Sequence, residues 1–151
     1  MIKIITVGKK PPQEIAQAID GYQKRLHGAF ELKWVLIPNS PLPGTVGAKN
    51  ESQAILRNLH ISDYVILLDE TGKNISSNDL AHLLIIQMET NKDIVLAIGG
   101  AYGVDESVKQ RADFTWSLSK LVFPHQLVRL LLTEQIYRAQ TIAAGHPYHH
   151  E

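Results

Sequence analysis

The sequence lacks cysteine, a long apolar run and a net charge, and each absence narrows the possible functions. Without cysteine, the 151 residues cannot form a disulfide, a zinc–thiolate centre or a catalytic thiol. No segment approaches the roughly 20 apolar residues that a membrane-spanning helix requires. The first residues, MIKIITVGKK, also lack the long apolar core and the cleavage site of a signal peptide. We therefore expect a soluble, cytoplasmic protein that contacts no membrane.

The formal net charge of zero weakens the case for a nucleic-acid partner, but the charges are unevenly distributed. Residues 1–50 carry seven Lys or Arg and three acids, whereas residues 51–100 carry three Lys or Arg and seven acids. Residues 116–150 carry three Lys or Arg, one acid and four histidines. An anionic partner therefore fits the two ends of the chain, and a dimer that joins such ends would strengthen its binding.

Apolar runs alternate with amphipathic segments along the chain, which predicts one α/β domain over residues 1–151. The continuous apolar runs favour a mainly parallel sheet with helices on both faces. The predicted strands are Ile2–Val7, Phe30–Pro38, Asp63–Asp69, Ile94–Ile98 and Phe114–Leu118. The predicted helices are Glu14–Leu26, Lys49–Leu59, a third from the capping box of Ser76 and Asp79 to Thr90, a short one after Gly103, and Leu127–Ala144. We also expect a loop at Asn39–Gly47, a turn at Glu70–Lys73, and a stripe on the last helix formed by Leu127, Leu130, Leu131, Glu134, Tyr137 and Arg138.

Glycines end the apolar strand Ile94–Ile98, and a second strand and an exposed loop closed by Pro124 follow. Gly99, Gly100 and Gly103 lie where a sheet of this class binds small molecules, and a glycine lets backbone approach a ligand closely. Neither the dinucleotide fingerprint nor the phosphate loop is present, because the glycine spacing fits neither. The cluster therefore predicts a cofactor site of another kind, with a purely structural turn as the alternative.

Other polar residues allow more than one interpretation. His146, His149 and His150 with Glu151 have the side chains of a metal site, but an unsupported tail rarely orders its ligands, so we expect no metal. The tail is otherwise solvated, or closes over a site where Tyr148 stacks on a base. For Arg138, the simplest partner is Glu134 one turn earlier. The residues alone thus indicate a cofactor-binding α/β domain of unknown reaction.

Four segments, taken in order, resemble one known family. They are residues 68–73 (LDETGK), 98–103 (IGGAYG), 117–125 (SLSKLVFPH), and 137–139 (YRA) leading to 146–149 (HPYH). In order and spacing they resemble the ribosomal RNA large subunit methyltransferase H family, and the resemblance covers the whole chain. These are small enzymes of the SPOUT class. The resemblance implies methylation of N3 of a pseudouridine in 23S rRNA within the ribosome, with S-adenosylmethionine as methyl donor and no metal.

The resemblance also implies a C-terminal trefoil knot, a homodimer and the site residues. The cofactor contacts of the family correspond to Leu68, Gly100, Ser119, Lys120, Leu121, Val122, Phe123 and Pro124. The tail of one subunit is expected to complete the site of the other. Arg138, Tyr148 and His149 are the catalytic candidates: His149 as general base, Arg138 as stabiliser of the imide anion, and Tyr148 as stacking or hydrogen-bonding partner.

One residue departs from the family pattern, and two other functions fit the same motifs. His150 stands where relatives often have Arg or Lys, so RNA binding should weaken more as pH rises than in a His150→Arg variant. A knotted methyltransferase acting on tRNA is one alternative, although the neutral charge favours a large, preformed target such as the ribosome. The other is a non-catalytic nucleotide-binding regulatory domain, in which cofactor binding would not depend on Arg138 or the tail.

Overall fold

A five-stranded parallel sheet lies at the centre of the computed structural model, which describes residues 1–150. The strand order is β2-β1-β4-β3-β5. The strands are β1 (Ile2–Val7), β2 (Leu32–Ile37), β3 (Tyr64–Lys73), β4 (Ile94–Ile98) and β5 (Phe114–Trp116). The helices are α1 (Gln13–Gln23), α2 (Gly44–Arg57), α3 (Ser77–Glu89), α4 (Glu106–Arg111) and α5 (His125–Ala143), with a 3-10 turn at Gly28–Phe30. The predicted α/β class, with a parallel sheet, is confirmed.

Two hydrophobic cores cover the two faces of the sheet, because successive strand residues point to opposite sides. On β4, Ile94, Leu96 and Ile98 pack into the core shared with α3 and α5, while Val95 and Ala97 pack into the core shared with α2 and α4. All five residues are buried. Helices therefore lie on both faces, as the continuous apolar runs predicted.

Several predicted boundaries are confirmed by the structure. β1 and β4 have the predicted limits. The capping box is also present: the Ser76 hydroxyl accepts from the Asp79 amide at 3.0 Å, and the Ser76 amide donates to Asp79 Oδ2 at 3.1 Å.

Two predicted strands are shorter in the structure. The strand predicted at Phe30–Pro38 is shorter at both ends, since Phe30 closes the 3-10 turn. The strand predicted to reach Leu118 ends at Trp116.

The predicted turn at Glu70–Lys73 is wrong, because β3 continues through it. The register with β5 shifts between Leu68 and Lys73, and Lys73 pairs with Trp116. Gly72 makes this irregular pairing possible, since a Cβ at that position would lie 2.7 Å from backbone atoms of Thr115 and Trp116. A close backbone approach, rather than a reversal of the chain, explains this glycine.

Two further expectations about helices are wrong. α2 begins at Gly44, not near Lys49, so Gly47 lies in the helix instead of ending a loop. This glycine packs against the Leu42 carbonyl, and a Cβ at position 47 would lie 2.2 Å from the carbonyl oxygen. On α5 the buried line comprises Arg129, Leu132, Thr133, Ile136, Ala139, Gln140 and Thr141. All six residues of the predicted stripe, including Leu127, Leu130 and Leu131, are only partly buried. Since α5 is apolar around most of its circumference, periodicity could not identify the inner face.

The crossover from β4 to β5 passes β3, which lies between them in the sheet. This order brings the ends of β3, β4 and β5 together at one edge. The trefoil knot that the resemblance implies is consistent with this arrangement and stays a prediction.

Candidate functional site

A cleft of about 500 Å³ opens at the carboxyl ends of β3, β4 and β5. Its walls are the end of β3 (residues 68–71), the turn after β4 (98–104), the loop after β5 (116–123) and the first turns of α5, including His125 and Val128. The volume lies within the range of small-molecule sites, and the carboxyl edge is where open α/β sheets bind ligands.

The three glycines form both a tight turn and a wall of this cleft. The Gly103 amide donates to the Gly100 carbonyl at 3.0 Å, and Gly103 has φ +71°, a conformation that favours glycine. A Cβ on Gly99 would lie 2.8 Å from Val104, and one on Gly100 would lie 2.6 Å from the Glu51 carboxylate. The glycines are therefore required for a tight turn, and the same turn lines the cleft, so their role as a cofactor site stays a prediction.

Most of the predicted cofactor residues lie at the cleft. Leu68, Gly100, Ser119, Leu121, Val122 and Phe123 line it. Lys120 is exposed in the same loop, and Pro124 is the residue before α5. The Leu121 and Val122 side chains are 71% and 85% exposed, so an apolar surface stands open at the rim. Their role as cofactor contacts stays a prediction.

The end of β3 shapes the loop that follows β5. The Ser117 amide donates to the Lys73 carbonyl at 3.0 Å, and the Asn74 side chain donates to the Ser117 carbonyl at 2.9 Å. The Ser117 hydroxyl then donates to the Ser119 carbonyl at 2.8 Å, and the Leu121 amide donates to the Ser119 hydroxyl at 3.0 Å. The LDETGK segment thus holds the cleft loop in place, a role that a turn assignment missed.

Two carboxylates and one ammonium group lie in the cleft: Asp69, Glu70 and Lys109. Asp69 Oδ1 accepts from the Thr71 hydroxyl at 2.6 Å and the Thr71 amide at 2.9 Å. Burial acts to raise the pKa of Asp69, but these hydrogen bonds and the charge of Lys109 outweigh it and lower the pKa. Asp69 is therefore ionised at neutral pH and supplies negative charge to the cleft.

The three catalytic candidates form a second cluster at the other end of α5. Glu134 Oε1 accepts from Arg138 Nη2 at 2.7 Å and from the Tyr148 hydroxyl at 3.2 Å. The Arg138 guanidinium lies 4.9 Å from the centre of the Tyr148 ring, and Arg138 Nη1 contacts His149 Nδ1 at 3.3 Å. The predicted Glu134–Arg138 ion pair is confirmed. The tail folds back onto α5, although it forms no regular element.

Protonation states within the cluster follow from these contacts. Burial, a hydrogen bond with Tyr22 and the charge of Glu134 raise the pKa of Tyr148 to about 12, so its phenol is neutral at physiological pH. Because a guanidinium can only donate, Nδ1 of His149 is the acceptor, and a neutral imidazole then carries its proton on Nε2. His149 Nε2 is buried and has no hydrogen-bond partner within residues 1–150.

Sequence reasoning missed the contribution of α1 to this cluster. The Tyr137 ring packs edge-on against Tyr148, with ring centres 4.9 Å apart, and the centre of the Tyr22 ring lies 5.8 Å from that of Tyr137. The Arg25 guanidinium is 4.3 Å from the centre of the Tyr137 ring and 4.8 Å from that of Tyr22. Nothing in the local sequence around Tyr22 connects it with the tail.

The cleft and the catalytic candidates lie at different positions along α5. Val128 lines the cleft, and Arg138 follows ten residues later on α5. At 1.5 Å per residue, the two positions are about 15 Å apart along the helix axis. The predicted cofactor residues and the predicted catalytic residues therefore form two separate groups in this chain.

Two other features considered from the sequence were a metal site in the C-terminal tail and a membrane-spanning helix. Residues 1–150 contain no group of three or more His, Asp or Glu side chains placed to hold a metal ion. The considered tail site also involved Glu151, which lies outside the described residues. His146 Nδ1 instead accepts from the Tyr148 amide at 3.3 Å. Within the same residues, every helix is too short or too polar to cross a bilayer.

Comparisons with known proteins agree with this architecture. The sequence model described as "Predicted SPOUT methyltransferase" matches residues 1–149. Proteins named "Ribosomal RNA large subunit methyltransferase H" are similar over nearly their full length. Those of Francisella tularensis subsp. novicida and Clostridium novyi are 41% and 40% identical, over 98% of this chain and 98% of each relative. That of Gloeobacter violaceus is 39% identical, over 99% of this chain and 98% of the relative. The chain therefore belongs to the SPOUT methyltransferases, and among them to the ribosomal RNA large subunit methyltransferase H family.

Proposed function

We propose that this protein transfers the methyl group of S-adenosylmethionine to N3 of a pseudouridine in 23S rRNA, acting on the assembled ribosome. The observation that carries the proposal is the cleft at the carboxyl edge of the sheet, whose walls are the segments that resemble the family's cofactor site. The similar proteins named above share one rRNA methyltransferase name, which favours this activity over the regulatory alternative.

The cleft suits S-adenosylmethionine in size and chemistry. A volume of about 500 Å³ accommodates a nucleoside joined to an amino acid. Leu121 and Val122 offer apolar contacts, and the carboxylates of Asp69 and Glu70 complement a sulfonium cation. When bound, this cofactor supplies an electrophilic methyl group.

The tail cluster suits the target base. An imide nitrogen must lose its proton before it becomes a good nucleophile, so the site needs a base, a stabiliser of the anion, or both. Arg138 supplies a fixed positive charge, and Tyr148 stays a hydrogen-bond donor. In the neutral form of His149, Nε2 carries the proton and Nδ1 accepts from Arg138. Nε2 can accept a proton only in the other tautomer, in which Nδ1 is protonated and the contact with Arg138 is released.

The 15 Å separation along α5 supports a homodimer in which the tail of one protomer reaches the cleft of the other. Exposed Leu121 and Val122 at the rim give the partner tail an apolar surface to cover. In this arrangement the cofactor cleft and the tail belong to different chains.

Radiolabelled S-adenosylmethionine tests the proposal when it is supplied with ribosomes, free rRNA or tRNA from cells that lack this protein. Label at one 23S rRNA pseudouridine in ribosomes is the expected result. Label in tRNA alone would keep the enzyme class and change the substrate. Cofactor binding without any transfer would support the regulatory alternative instead.

The dimer is tested by mixing two inactive variants. A Gly100→Val protein with a blocked cleft and a Tyr148→Ala protein should regain transfer after their subunits are exchanged. Activity that stays absent in verified mixed dimers would contradict a shared site.

A further inference from the structure

We propose that Lys9 and Lys10, on the loop after β1, form a phosphate-binding surface that docks the RNA beside the cleft. This inference deepens the proposed function and rests on it. Its starting point is a buried cation, Arg129, that neither the cofactor nor the tail cluster uses.

Arg129 fixes the loop that carries the two lysines. Its side chain is 1% exposed, and Nη1 donates to the Lys9 carbonyl at 2.6 Å. Nη2 donates to the Val7 carbonyl at 3.2 Å, and Nε donates to the Thr6 hydroxyl at 3.2 Å. The side chain of Gln126 adds a second contact to the Lys9 carbonyl, at 3.3 Å. The backbone at Lys9 is therefore held by the first turns of α5.

The same turns of α5 form part of the cleft. His125 and Val128 line it, and they are the immediate chain neighbours of Gln126 and Arg129. β1 also neighbours β4 in the parallel sheet, and a Cβ on Gly100, which lines the cleft, would lie 3.3 Å from Val7 Cγ1. The loop with the two lysines therefore follows the carboxyl end of β1, at the same edge of the sheet as the cleft.

The lysine side chains themselves are available. Lys9 and Lys10 are exposed, and neither forms an ion pair within residues 1–150. Pro11 and Pro12 follow directly and restrict the loop backbone, which lowers the entropy lost when a ligand binds. Unpaired ammonium groups on a fixed backbone suit phosphate groups.

The buried guanidinium adds to the positive potential at this position. Burial lowers the pKa of Arg129, yet an arginine keeps its charge at neutral pH. No carboxylate forms an ion pair with it in the described part of the chain. Asp20, which lines a small groove together with Pro11 and Arg129, is paired with Lys24 at 2.6 Å. A local cationic patch therefore exists on a chain whose net charge is zero.

The patch favours RNA over an acidic protein because the neighbouring cleft is the proposed methylation site. Each lysine that neutralises a phosphate contributes about 0.7–0.9 to the slope of log affinity against log salt. Two such contacts predict a loss of about 1.5 from that slope when both lysines are replaced.

The test compares two double variants with the same change of charge. Lys9→Glu/Lys10→Glu alters the patch, while Lys33→Glu/Lys92→Glu alters two exposed lysines near the amino ends of β2 and β4, at the opposite edge of the sheet. Ribosome binding is measured without cofactor at salt concentrations from about 50 to about 200 mM, a range of about fourfold. The affinity for S-adenosylmethionine is measured separately by calorimetry.

We expect the first variant alone to lose about tenfold or more in ribosome affinity and about 1.5 in salt slope, with cofactor affinity unchanged. Lys9→Gln/Lys10→Gln should show the same loss of slope, which separates charge from any folding defect. Equal effects of the two Glu variants, or no effect of either, would overturn the inference. Methylation by the wild-type protein reports separately on the proposed function.

Discussion

Glu134 joins two of the three catalytic candidates, and replacing it with Gln should disturb both of them at once. Its Oε1 atom accepts from Arg138 Nη2 at 2.7 Å, Arg138 Nε at 3.1 Å and the Tyr148 hydroxyl at 3.2 Å. Gln keeps the shape and one acceptor oxygen but removes the charge. The variant therefore measures how much the carboxylate charge contributes to holding the tail.

The magnitude follows from these three hydrogen bonds. Bonds to a charged group contribute about 1.5–3 kcal/mol and neutral ones about 0.5–1.5 kcal/mol, a difference of about 1 kcal/mol for each bond. The Arg138 and Glu134 side chains are 24% and 17% exposed, so solvent screening reduces the sum of about 3 kcal/mol to about half. We expect a loss of about 1.5 kcal/mol in the free energy of unfolding, which lowers Tm by about 3–6 °C.

Thermal unfolding and methyl transfer measure the two consequences. Glu134→Gln should reduce Tm and kcat, while its affinity for S-adenosylmethionine stays unchanged, because Glu134 does not line the cleft and lies about 9 Å along α5 from Val128, which does. Glu31→Gln, the same change at an exposed acid, is the matched control. The reasoning fails if Glu134→Gln matches the wild type in both Tm and kcat, or if it loses cofactor binding.

Three further predictions concern the fold and the tail. Arg129→Met should cost about 2–4 kcal/mol in urea unfolding, because it leaves buried backbone oxygens such as the Val7 carbonyl without their donor. Gly72→Ala should cost about 1–3 kcal/mol, since its Cβ would lie 2.7 Å from backbone of β5, whereas Gly21→Ala, in an open part of α1, should stabilise by about 0.4–1 kcal/mol. Tyr148 should ionise near pH 12 rather than its usual 10.0 in an ultraviolet titration. The pKa of Tyr148 is higher in the folded state than in the unfolded state. The contribution of Tyr148 to the free energy of unfolding is therefore complete below about pH 10 and is lost as the pH rises toward about 12.

A specific result would contradict each of these three predictions. An Arg129→Met protein as stable as the wild type would show that the loop does not depend on the guanidinium. Equal stability of the Gly72 and Gly21 variants would show that β3 and β5 can separate without cost. A Tyr148→Phe variant identifies the titration signal, and an unchanged curve in that variant would mean that another tyrosine ionises near pH 12.

The local sequence pattern was sufficient to predict features that depend on one dominant interaction. The limits of β1 and β4 follow from apolar side chains bounded by glycine or polar residues, and the capping box of α3 requires only Ser76 and Asp79 at the right spacing. The ion pair between Glu134 and Arg138 likewise follows from one helical turn. In these cases the partners are close in sequence, so local geometry brings them together.

The failures occur where distant backbone decides the structure. Nothing near Gly72 shows that β5 approaches it closely enough to exclude a Cβ. Likewise, the apolar circumference of α5 does not reveal that Arg129 points inward to the β1 loop. The sequence by itself determined the α/β class and the glycine turn at the carboxyl edge of the sheet. Only the tertiary structure decided that the cleft and the tail stand apart along α5 and that α1 supports the tail, because these relations depend on packing between elements far apart in the chain.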